Sequence, residues 1–82
     1  GNNNVELIYT DPDTIQSVPK LFRVLSDRDD AGRHTAVLAL ESGVSGNEVL
    51  KSVIEQGFAV NSFKELVPRM NDIFIKLVTE EE

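Results

Sequence analysis

Between Phe63 and Val78 the spacing of apolar residues changes across one proline, Pro68, and no other stretch constrains the fold as tightly. Before the proline the pattern repeats every two residues, as in a strand. After it, Met70, Ile73, Phe74, Leu77 and Val78 fall at i, i+3, i+4, i+7 and i+8. That spacing gathers large apolar groups on one face of a helix, and each stabilises the fold by roughly 1.5–3 kcal/mol when fully buried. The sequence thus predicts a strand handing over to a terminal helix that anchors the core. Nothing in the stretch has the chemistry of a catalytic site.

The chain has 82 residues, of which 40% are hydrophobic and 27% charged. That balance describes one small globular domain over residues 5–82. Gly1 to Asn4 read as a linker or a cloning remnant, and a linker implies a folded unit before it. A chain this short buries little more than ~60% of its unfolded surface, so a large cofactor cavity is not expected. With 14 acidic against 8 basic residues the net charge is −6, which argues against nucleic acid or an anionic membrane as direct partner. The absence of cysteine excludes a disulfide framework, a thiolate zinc site and a cysteine nucleophile. No run reaches ~18 apolar residues and no signal-peptide pattern opens the sequence.

Along the chain, Val5 to Tyr9 alternates as a strand, with Ile8 interrupting its polar face. Asp11-Pro12 offers an N-cap and a first helical position, so Ile15 and Val18 suggest a short helix ended by Pro19. Leu21 to Leu25 reads as a second strand, with Phe22 and Val24 on one face and Arg23 on the other. Ser26 to Arg33 reads as a polar hairpin loop. Asp27 and Asp29 match the first two ligand positions of a calcium loop, but Ala31 and Leu38 stand at the fifth and twelfth, so a solvated turn is the expectation. His34 to Glu41 is apolar on both faces, as in a central strand. His34, the lone histidine, has no nucleophile or second base beside it in sequence and reads as a surface residue.

Ser45 and Glu48 form a capping box, with Val44 and Val49 placed as its hydrophobic staple. The helix they open runs from about Gly46 to Gln56 and stops at Gly57. The glycines at 43 and 46 are followed by no lysine, so this is a cap and not a phosphate loop. Phe58 to Leu66 forms the next strand. The order βαββαβ plus one appended C-terminal helix suggests an α+β ferredoxin-like sandwich with a four-stranded antiparallel sheet. A ββαβα arrangement without the first helix is the alternative.

Phe63, Pro68 five places on, Asp72-Ile73-Phe74 and Leu77-Val78 before an acidic tail resemble the motif F-x-x-x-x-P-S-L-E-D-I-F-x-x-L. That motif closes many ABC transporter ATP-binding subunits of the Nat-type sodium exporter and Drr-type drug exporter kinds. Arg69, Met70 and Asn71 stand where that family has Ser, Leu and Glu, and the missing serine removes the natural N-cap. The resemblance implies a C-terminal accessory domain that tunes or couples ATP hydrolysis or subunit association. Its partners would be the preceding nucleotide-binding domain and a membrane subunit, on the cytoplasmic side, with the isolated domain a monomer that does not insert into the membrane. ATP and magnesium would belong to the catalytic domain, absent from this sequence, and no cofactor to this one. Arg69, Asn71 and Lys76 are the candidate contact residues. The residues themselves provide no paired base and nucleophile and no phosphate loop, so an enzyme is not expected. A small-molecule sensor of the amino-acid-binding (ACT-like) type is the second reading, but its glycine-bearing loop after the first strand is replaced by Asp11-Pro12-Asp13.

Overall fold

The computed structural model describes residues 3–10 and 12–67. They form β1 (Asn4–Thr10), β2 (Phe22–Asp30), β3 (Arg33–Leu40), α1 (Gly46–Glu55) and β4 (Ala59–Leu66). The four strands make one antiparallel sheet in the order β2-β3-β1-β4. The chain is therefore α+β. The terminal helix expected after Pro68 lies outside the described residues.

Alternation builds the core. Val5, Leu7 and Tyr9 of β1 and Ala36 and Leu38 of β3 turn to one face and are buried, as is Phe22 of β2. Val49 and Val53 of α1 close over this face. Interior strands β1 and β3 also half-bury Ile8, Val37 and Ala39 on the opposite face, which explains why β3 reads as apolar on both faces from Ala36 to Leu40.

The ends of α1 match the sequence closely. Glu48 N–H donates to Ser45 Oγ at 3.2 Å, and Ser45 N–H donates to Glu48 Oε2 at 2.7 Å. Gly57, at φ +94°, donates to Ile54 O at 2.9 Å, and Phe58 N–H reaches back to Val53 O at 3.4 Å. These two bonds are a Schellman ending, and its left-handed position is the one glycine occupies without strain.

Two expectations are corrected. The first connection contains no helix over residues 12–18. Its backbone is committed elsewhere: Ile15 N–H donates to Tyr9 Oη at 2.9 Å, and Val18 exchanges backbone bonds with Phe22. Ser17 Oγ accepts from Val24 N–H at 2.9 Å. The segment is an extended strap that buries Ile15 and covers part of the outer edge of β2, an edge that otherwise presents unpaired donors.

Second, β2 does not end at Leu25. It continues to Asp30 after a bulge between Val24 and Ser26, and meets β3 through a two-residue turn, Ala31-Gly32. Both turn residues have positive φ, +52° and +90°, as a type I′ hairpin requires. Ser26 to Asp30 carries a loop-like polar composition because an edge strand needs few apolar residues.

Candidate functional site

Two features of the described residues combine polar chemistry with enclosure, one towards each end of the sheet. Towards the hairpin end, Tyr9 on β1 faces its cross-strand partner His34 on β3, and the bulge in β2 brings Asp27 beside them. His34 Nδ1 lies 2.8 Å from Asp27 Oδ1, and the Tyr9 hydroxyl donates to Asp27 Oδ2. A carboxylate only accepts, so Nδ1 of His34 carries a hydrogen and donates it. Asp29 Oδ2 stands 3.8 Å from Nε2 of the same ring. Phe58 meets Tyr9 edge to face, with centroids 5.3 Å apart.

This corrects the reading of His34 as a surface residue. It is only 3% exposed. Its partners are seven and five positions away in sequence and become neighbours only through the hairpin register. Asp27 is likewise a largely buried strand residue beside the histidine rather than a member of a solvated turn, whereas Asp29, also on β2, stays exposed and accepts from the turn's Gly32 N–H at 2.8 Å. Among the described residues, no group of three or more histidine and carboxylate side chains is arranged to hold a metal ion, and no buried side-chain polar atom lacks a hydrogen-bond partner. The network ties three strands and the strap together.

At the opposite end of the sheet a cleft of about 330 Å³ opens. The start of β1 (Asn3 to Val5), Leu40, the turn into α1 (Val44 to Gly46) and the end of β4 (Glu65 to Val67) line it. Its walls mix aliphatic groups with the polar side chains of Asn3, Asn4, Ser45 and Glu65, and the carboxylate of Glu65 stands over the first turn of α1. A Cβ placed on Gly46 would lie 3.6 Å from Glu65 Oε1 and 3.6 Å from Phe63 Cε1. Leu40 N–H donates to Asn3 O at 2.8 Å, so the incoming chain is fixed to the sheet before β1 begins. Val67 is 77% exposed at the cleft rim.

Of the residues singled out in the sequence, Phe63 lies on β4, half-buried and packed on the core opposite Leu7. Pro68, Arg69, Asn71, Asp72, Ile73, Phe74 and Lys76 lie outside the described residues. No helix among the described residues is long and apolar enough to cross a membrane.

Neither the curated proteins nor the solved structures yield a match to this chain. The family described as "ATP-binding protein DrrA1-3-like, C-terminal domain" matches residues 1–78. The chain belongs to that family, the C-terminal domains of DrrA-like ABC transporter ATP-binding proteins, and is an accessory part of such a protein rather than its catalytic ATPase domain.

Proposed function

We propose that this domain is a non-catalytic module that tunes or couples ATP hydrolysis, or steadies subunit association, in the ATP-binding protein to which it is attached. The family match over residues 1–78 carries this reading. The residues support it further. Binding Mg-ATP takes a glycine-rich run of backbone donors, a lysine and an acidic residue for the metal, and the sequence has no such run. The chain's net charge of −6 repels polyphosphate. The Tyr9–Asp27–His34 network is committed to joining strands. On this reading the domain works on the cytoplasmic side, against the nucleotide-binding domain and a membrane subunit, holds no cofactor of its own, and is monomeric alone.

The strand order supports a ferredoxin-like sandwich in which an extended strap replaces the first helix. Among the described residues, α1 packs on one face of this sheet. Coupling between two sites typically amounts to about 1–3 kcal/mol.

ATPase assays on the complete subunit with and without this domain test the proposal. The expected result is a rate changed by about fivefold or more, or a changed oligomeric state. Unchanged rate and unchanged assembly would overturn it. Titration of the domain with Mg-ATP, followed by NMR, is expected to leave its resonances in place.

A further inference from the structure

We propose that the cleft at the β1-entry end is the surface on which this domain docks against the ATP-binding domain that precedes it, receiving an apolar side chain flanked by a basic residue. The inference rests on the reading of the chain as an accessory module, and it names the contact that module uses.

Three observations carry it. The first is position. The family places the ATP-binding domain ahead of this one in the chain, and the incoming backbone is held by the 2.8 Å bond from Leu40 N–H to Asn3 O at the cleft's own wall. A domain tethered there meets this surface at high effective concentration. The second is shape and chemistry. The cleft of about 330 Å³ has Val44, Leu40 and Leu66 in its walls, all only half-buried, and Val67 exposed at its rim. Aliphatic groups interspersed with the hydrogen-bonding side chains of Asn3, Asn4 and Ser45 suit a protein contact, which combines apolar burial with direct hydrogen bonds. The third is charge. Among the described residues Glu65 is the one ionisable side chain lining the cleft, in a chain of net charge −6, so the complementary partner brings a cation to Glu65. Towards the far end of the sheet, by contrast, Tyr9 stacks on His34 and meets Phe58 edge to face.

The test is photo-crosslinking in the complete ATP-binding subunit, with a benzophenone amino acid at Val67 or, as control, at Ile54. Ile54 is 56% exposed but lies near the far end of α1. The expected result is a crosslink from position 67 to the ATP-binding domain and none from position 54. Glu65→Lys, which sets a like charge against the partner's cation, is expected to lower the yield about tenfold. Glu65→Gln is the second variant should the lysine disturb folding, and it should lower the yield in the same direction.

Equal crosslinking from both positions would overturn the proposal, as would a yield indifferent to both Glu65 variants. So would crosslinks running only to residues 68–82 of this domain or to a second copy, since the cleft would then have a different occupant. The assay also separates this inference from the functional one. A crosslink with no ATPase effect on deletion leaves the docking surface standing and removes the regulatory role, and the converse removes only the cleft.

Discussion

His34 lies flat against Tyr9, with ring centroids 4.4 Å apart and planes 15° from parallel, and both rings direct a donor at the carboxylate of Asp27. The stack joins the two interior strands, and Asp27 adds the edge strand to the same contact. Offset aromatic pairs contribute about 0.5–1.5 kcal/mol beyond their burial. The larger consequence is that one acceptor satisfies two buried donors.

Asp27→Ala should therefore cost about 3 kcal/mol, because it leaves a hydroxyl and an imidazole N–H buried without their acceptor. Urea denaturation measures this directly. A cost below about 1 kcal/mol would mean that water replaces the carboxylate and that the network contributes little.

Tyr9→Phe keeps the stack and removes the hydroxyl that accepts from Ile15 N–H and donates to Asp27. The expected loss is about 1–2 kcal/mol. The more telling readout is hydrogen exchange at the Ile15 amide, which should quicken while the amides of β1 and β3 keep their relative order. If Ile15 exchanges as before, the strap is held by its apolar burial and not by this hydroxyl.

Ala31 occupies the first position of the two-residue turn at φ +52°, where an ordinary side chain costs about 1–2 kcal/mol and asparagine much less. Ala31→Asn should raise stability by about 0.5–1 kcal/mol. A thermal melt in which the variant falls at or below the parent would show that the turn does not keep the I′ geometry in solution.

Ser45→Ala removes half of the capping box and should cost about 1 kcal/mol, a fall of roughly 4–8 °C in Tm for a domain of this size. Asparagine at the same position should restore most of it, since its side chain can accept from the same N–H. Failure of that rescue would assign the loss to something other than the cap.

Local rules act over a few residues, and where the fold depends on such rules the sequence by itself determined it. Ser45 with Glu48, and Gly57 after Gln56, marked both ends of α1 to within a residue, because capping links atoms three or four positions apart. The alternation in Val5 to Tyr9 and in Ala36 to Leu40 assigned the interior strands, because burial on a pleated sheet follows a fixed period of two. Family membership was also legible, in Phe63 and the residues after Pro68.

The tertiary structure decided what depends on contacts distant in sequence. Ile15 and Val18 lie in a strap because Tyr9 and Phe22 take their backbone groups, and no local propensity reports that competition. Asp27 and Asp29 belong to a strand, and His34 to the core, because a bulge and a two-residue turn set the register that brings a carboxylate to an imidazole. The cleft has the same origin. Asn3, Leu40, Ser45 and Leu66 are scattered along the chain, and only the order β2-β3-β1-β4, with α1 starting above the end of β4, gathers them around one opening.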